Sequence, residues 1–200
     1  MFRAVDSICA VDFTTLNLPI SKIEALNILS NLGINIIERD ILVTAREQIG
    51  KSIYKRGAKP SQAPDVLDCS SFTKWIYGKM GIWLPRRTIQ QIDCGTAISA
   101  NKMKVGDLIF IKGRRNWFRN NPQINVGHVG IATGHDTIIH AASTTLGVVE
   151  SSPDNFLDPA IFRTIKRIIP NPTETHIFQT PPELEIETSD DFFWIIVRNL

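Results

Sequence analysis

A thiol and two imidazoles are the groups in this chain best suited to covalent chemistry: Cys69, in the stretch Asp68-Cys69-Ser70-Ser71, and the histidines His128 and His140. A cysteine attacks a carbonyl as its thiolate, an imidazole takes the proton, and a polar group on the far ring nitrogen holds that imidazole in one tautomer. Phe72, Trp75, Ile76 and Met80 follow the three-then-four rhythm of a helix with one buried face, and Asp68 is placed to cap its first turn. Cys69 then meets the positive end of that helix. This predicts a thiol shifted toward the thiolate, with backbone amides ready to receive an oxyanion. An isolated Asp-Cys-Ser run reads more readily as an inert buried cysteine beside a cap, since buried unreactive cysteines are common.

The histidines decide between these readings. His128 opens the strand-like run 127–132, and His140 closes the run 137–141, with Gly134-His135-Asp136 as the turn between them. The midpoint of 128 and 140 is 134, so the two are expected opposite each other on an antiparallel pair, with His128 as base and His140 as its orienter. His135 falls at the hairpin tip and reads as a surface residue. A metal held by Cys69, His128 and His140 would match no common zinc spacing, so no metal and no cofactor are expected.

Positioning these groups requires helices first and a sheet second. A short amphipathic helix is predicted over 20–29 after a Ser21 cap, ending near Gly33, and a second over about 39–48, stopped by Gly50. After the cysteine helix, Gly81 stops the run and Leu84-Pro85-Arg86-Arg87-Thr88-Ile89-Gln90-Gln91 leads into another short helix. Strands are expected at 105–111, 127–132, 137–141, 148–149 and 162–169, joined by a polar loop over 112–125. Residues 170–187 have the Pro, Thr and Glu content of a linker, and Phe192-Phe193-Trp194-Ile195-Ile196-Val197 reads as a final buried strand. The class is α+β.

Composition excludes several functions. Two hundred residues suffice for one good core but not comfortably for two full domains. With 22 basic and 20 acidic side chains there is no strong field to draw nucleic acid, and the basic cluster Lys112, Arg114, Arg115 and Arg119 reads as a solvated loop. Three cysteines, at 9, 69 and 94, form an odd set without a CxxC pair, which argues against a disulfide framework. Asp6 and Asp12 interrupt any signal-like start and no run is long enough to span a bilayer, so a cytoplasmic location is the default expectation.

Five blocks in order carry a resemblance: Asp68-Cys69-Ser70; Leu84-Pro85-Arg86 with Thr88 and Gln91; Val105-Gly106-Asp107-Leu108-Ile109-Phe110; His128-Val129-Gly130-Ile131; and Ile139-His140-Ala141. Over about 36–169 they resemble the NlpC/P60 family, papain-like cysteine peptidases of bacterial cell-wall peptides. The resemblance implies a papain-like α+β fold with the nucleophile helix packed on an antiparallel sheet, an extension over 1–35, a catalytic domain over 36–169, and a linker and strand over 170–200. It also implies that Cys69 is the nucleophile, His128 the base and His140 the third polar residue, while Tyr54, Asp68 and Ser70 bind substrate by holding a free amine at its end. The implied reaction is hydrolysis of the bond between D-glutamate and a diamino acid in a peptidoglycan stem peptide, through a thioester. Ser71 stands where the family has glycine, and Tyr54-Lys55-Arg56-Gly57 replaces a longer aromatic-glycine segment. A papain-like acyltransferase or amidase, and an inactive wall-binding module, are the alternatives.

Overall fold

A computed structural model of the chain describes residues 1–113, 125–134 and 136–200. The described residues divide into two compact units, one of Ile41–Ile76 with Leu84–Pro170, the other of Met1–Asp40, Tyr77–Trp83 and Asn171–Leu200.

The first unit is built on a six-stranded sheet. Its early elements are α2 (Ile41–Arg46), the parallel pair β3 (Ile53–Tyr54) and β4 (Val66–Leu67), α3 (Cys69–Lys79), whose last turn belongs to the other unit, and α4 (Thr88–Gln91). The sheet follows, with β5 (Thr96–Ile98), β6 (Val105–Ile111), β7 (His128–Thr133), β8 (Ile138–Ser143), β9 (Gly147–Ser151) and β10 (Phe162–Arg167) in the spatial order β5-β10-β6-β7-β8-β9. A short α5 (Asp154–Leu157) lies between β9 and β10. Every pairing is antiparallel. On one face Met103, Ile109, Ile111, Ala132, Ile138, Phe156 and Ile165 form a closed apolar cluster. Strand alternation sends Ile109 and Ile111 to that face and Leu108 and Phe110, also buried, to the other, so residues 108–111 of β6 read as a continuous apolar run.

The second unit is formed by the two ends of the chain. Strand β1 (Ile8–Asp12) pairs with β11 (Thr175–Gln179), which pairs in turn with β2 (Asn35–Ile36), all antiparallel. Helices α1 (Lys22–Asn31) and α6 (Asp191–Val197) supply Ala25, Leu29, Phe192 and Ile196 to its core, with Cys9, Val11 and Phe178 from the sheet. The Ser21 cap is present as a full capping box with Glu24.

Two expectations for the ends are overturned. The segment 170–187 contains β11 and is not only a linker: Phe178 pairs with both Cys9 and Ile36. The terminal run is a helix and not a strand. Its buried residues Phe192 and Ile196 are four apart and Trp194 between them is 58% exposed, a helical period that an all-apolar string hides. The Asp191 carboxylate accepts from the amides of Glu187 and Thr188, which ties down the chain entering that helix. Helix α2 is also shorter than the expected span of 39–48. Among the described residues no helix is long and apolar enough to cross a membrane. The basic loop residues 114–124 and His135 lie outside the described residues.

Candidate active site

Strands β3 and β4 pair with Tyr54 opposite Leu67, so the chain leaving β4 passes through Asp68 directly into α3, with Cys69 as its first residue. Asp68 and Ser71 close a reciprocal cap. The Ser71 amide donates to Asp68 Oδ1 at 2.8 Å, and the Asp68 amide donates to Ser71 Oγ at 2.8 Å. This is the capping-box arrangement with a serine at its third position, contributing about 1 kcal/mol to the helix start.

The sulfur of Cys69 is held between α4 and β7. Thr88 Oγ1 lies 3.8 Å from Sγ, and the carbonyl of Gly127 lies 3.9 Å from it. The Val129 amide also points at the sulfur. Gly127 and Val129 are the chain neighbours of His128, so the thiol rests against the backbone that carries the imidazole. Helix α4 is fastened to α3 by Gln91, whose Nε2 donates to the carbonyls of Ser70 and Pro85 and whose Oε1 accepts from Thr73. Gln91 is fully buried with its amide satisfied, which fixes Thr88 beside the sulfur.

The expected depression of the thiol pKa does not occur. Burial, with the neighbouring Asp68 carboxylate adding to it, pushes Cys69 up to about 11, against smaller opposing effects of the Thr88 hydroxyl and the Val129 and Ser70 amides. The resting sulfur is a neutral thiol. Iodoacetamide labelling of Cys69 is therefore expected to be slow at pH 7 and to climb as pH passes 9. A fast plateau already reached below pH 7 would mean that a preformed thiolate–imidazolium pair dominates instead.

His128 Nε2 and His140 Nδ1 are 2.8 Å apart. The two are not directly opposite, however. Strands β7 and β8 pair Ile131 with Ile139 and Ala132 with Ile138, a register that puts Gly130 across from His140, with His128 two residues away on the same face. The contact is diagonal, within reach of long side chains on a twisted sheet. Gly130 makes room for it. A Cβ there would lie 2.4 Å from Ile138 Cγ2 and 3.2 Å from His140 Cβ, and the branched Ile138 cannot swing away cheaply. Phe156 walls the pair, its ring centroid 4.9 Å from His140 edge-on and 5.8 Å from His128.

That apolar wall lowers the His140 pKa to about 4 by burial, so its ring is neutral at working pH. The unfolded chain binds the proton at about pH 6.5, the folded chain not until about pH 4. The stabilisation is thus complete above pH 6.5 and is lost as pH falls from 6.5 toward 4. A thermal-denaturation series over that range should show Tm falling in the wild type and falling less in His140→Phe; equal slopes would remove the argument.

Asp68 is more heavily committed than a cap requires. Arg86 donates from Nη1 to Oδ1 at 3.0 Å and from Nη2 to Oδ2 at 2.6 Å. Gly57 N also donates to Oδ2 at 2.9 Å, and Ser70 Oγ to Oδ1 at 3.3 Å. Arg86 directs its remaining donors to Ser70 Oγ and the carbonyl of Ala58. Burial opposes the charge on Asp68, but Arg86 and the Ser71 and Gly57 amides outweigh it and hold the carboxyl below its ordinary range. Both carboxylate oxygens are engaged inside the protein, so an amine of the substrate would have to displace one of these donors. Ser70 is buried within the same network, and Tyr54 is half-buried at the end of β3.

The NlpC/P60 family model matches residues 51–163. The chain belongs to the NlpC/P60 family. It is 33% identical over 132 residues to the peptidoglycan DL-endopeptidase CwlO of Bacillus licheniformis, covering 63% of this chain and 27% of that protein. It is 34% identical over 115 residues to a probable endopeptidase of Corynebacterium glutamicum, covering 57% of this chain and 47% of the relative. The chain thus spans less than half the length of these two relatives. The NlpC/P60 domain of the peptidoglycan hydrolase SagA superposes with a TM-score of 0.50 at 28% identity, over 64% of this chain and 95% of that domain.

The NlpC/P60 blocks legible in the sequence converge here: Cys69, Arg86, Thr88, Gln91, His128 and His140 belong to one unit and one site. Sequence reading missed Phe156, Ser151 and the closure of Asp68 by Arg86. The two-residue step from 128 to 130 was available as a signal, because a glycine at the place where a strand alternation calls for a side chain marks a close approach. Nothing in the local pattern singles out Phe156, an apolar residue in a four-residue helix.

Proposed function

We propose that this chain is a cysteine-type peptidase of peptidoglycan stem peptides that cleaves the bond between D-glutamate and the following diamino acid through a thioester acyl-enzyme. The observation that carries the reading is the line of groups from the Cys69 sulfur, against the backbone of His128, to the 2.8 Å contact of His128 with His140. The likeness to CwlO, a peptidoglycan DL-endopeptidase, and to the peptidoglycan hydrolase SagA supports the substrate class.

In this mechanism the His128 Nδ1 lone pair takes the Cys69 proton as the sulfur attacks the scissile carbonyl. The resting thiol makes proton transfer part of the attack, and the neutral His140 ring accepts from His128 Nε2–H while the imidazolium forms. The oxyanion is met by the Cys69 amide at the start of α3. The imidazolium then protonates the leaving amine, and water attacks the thioester with His128 again as base. The engagement of Asp68 and Arg86 with each other favours recognition of the peptide by other means than a charged amine at Asp68. A cytoplasmic chain would meet released stem peptides, an exported one the wall itself.

The test is incubation of wild type and Cys69→Ala with L-Ala-γ-D-Glu-diaminopimelate and with its N-acetylated form, read by mass. Cleavage of both by the wild type and neither by the variant is expected. Formation of a hydroxamate with added hydroxylamine but no hydrolysis would point to acyl transfer, and cleavage of the free-amine peptide alone would restore Asp68 as the anchor.

A further inference from the structure

The line of polar contacts does not end at His140. Its Nε2 lies 3.0 Å from Ser151 Oγ, on β9. Strand β9 pairs Ser151 with Ile138 and Val149 with His140, so Ser151 is again two residues from the directly opposite position and on the same face as both histidines. His128, His140 and Ser151 therefore form one diagonal across three adjacent strands, with the same two-residue offset at each step.

We infer that Ser151 is a positioning residue, whose hydroxyl accepts from His140 Nε2–H and thereby sets the tautomer of both histidines. This rests on the peptidase reading of the site. Two proton arrangements fit the contacts. If Ser151 accepts at Nε2, His140 carries no proton on Nδ1 and must accept there from His128 Nε2–H, which leaves His128 Nδ1 unprotonated and able to take the thiol proton. If Ser151 donates instead, His140 Nδ1–H points at His128 Nε2, His128 is protonated on Nδ1, and the base is blocked. A neutral His140 packed edge-on against Phe156 needs an acceptor for its single N–H, and Ser151 Oγ supplies it on the productive side.

The register of β9 keeps the serine in place. Glu150, on the opposite face of the strand, takes both Nε and Nη2 of Arg46 at 3.0 and 2.9 Å and also accepts from Thr137 Oγ1. A slip of one residue would turn Ser151 away from the histidines and break the Arg46 fork together.

The experiment compares wild type, Ser151→Ala and Ser151→Thr, with protein labelled on the histidine ring nitrogens. Long-range proton–nitrogen correlation spectra should show His140 protonated on Nε2 and His128 on Nε2 in the wild type. The alanine variant should mix the tautomers and lose on the order of tenfold in kcat with KM little changed, and threonine should restore both. Unchanged ring spectra and unchanged kcat in Ser151→Ala would overturn the assignment, as would a wild-type His140 protonated on Nδ1. Absence of cleavage by the wild type on any stem peptide would count against the peptidase reading, while the spectra would still decide the role of Ser151.

Discussion

Replacing His128 by alanine is expected to lower kcat/KM on a stem peptide by roughly 10³-fold or more, near the upper part of the range for a positioned general base. With the Cys69 thiol pushed up to about 11 by burial, the proposed mechanism relies on this ring to take its proton at neutral pH. His140→Ala removes the acceptor at 2.8 Å but leaves a base in place, so a smaller loss is expected, roughly 10²-fold. His140→Asn should recover part of it, since a carboxamide oxygen can accept from His128 Nε2–H. The measurement is steady-state kinetics of the three variants at one pH, with folding checked by circular dichroism. A greater loss in His140→Ala than in His128→Ala would mean the two roles are exchanged.

Arg86→Ala should be the most destabilising single change around the site. Asp68 is nearly buried, with 9% of its side chain exposed, and Arg86 is 26% exposed. Truncating the arginine leaves a carboxylate in a poorly solvated place with only amide and hydroxyl donors, a kind of break that costs about 3 kcal/mol or more. Because Arg86 retains some solvent contact, the low end is expected, a drop in Tm of roughly 6 to 12 °C. Arg86→Lys should not rescue it, since one ammonium cannot span both carboxylate oxygens and the Ala58 carbonyl. The pH dependence follows from the depressed pKa of Asp68. Its stabilisation is present above the ordinary carboxylate range near pH 4 and is lost as pH falls below it. The gap between wild type and Arg86→Ala should therefore narrow on acidification below about pH 4. A gap that stays constant down to pH 2 would show that the ion pair is not what holds the helix start.

The failures of sequence reading were of one kind. The run Phe192–Val197 and the segment around β11 were misassigned because each is decided by a partner far along the chain: Phe178 lies beside Cys9, and Phe192 joins the same core. A string of apolar residues fits a strand or a helix until it is known which of them is buried. The site behaved in the same way. Capping of α3 by Asp68, the identity of the blocks and the pairing of the β7 and β8 strands rest on short-range pattern and were legible. The loss of a free carboxylate at Asp68 depends on Arg86, 18 residues on, and was not.

By itself the sequence determined the chemistry available to this protein: one cysteine at a helix start, two histidines on neighbouring strands, and the family whose blocks surround them. Side-chain type, capping preference and alternation act over a few residues, and so they can be read along the chain. Only the tertiary structure decided how that chemistry is arranged. It showed Cys69 as a buried thiol and not a ready thiolate, because burial is a property of everything packed around a group. It set the histidines on a diagonal opened by Gly130 and extended it to Ser151, because strand register is fixed by the whole sheet and not by the midpoint of a turn.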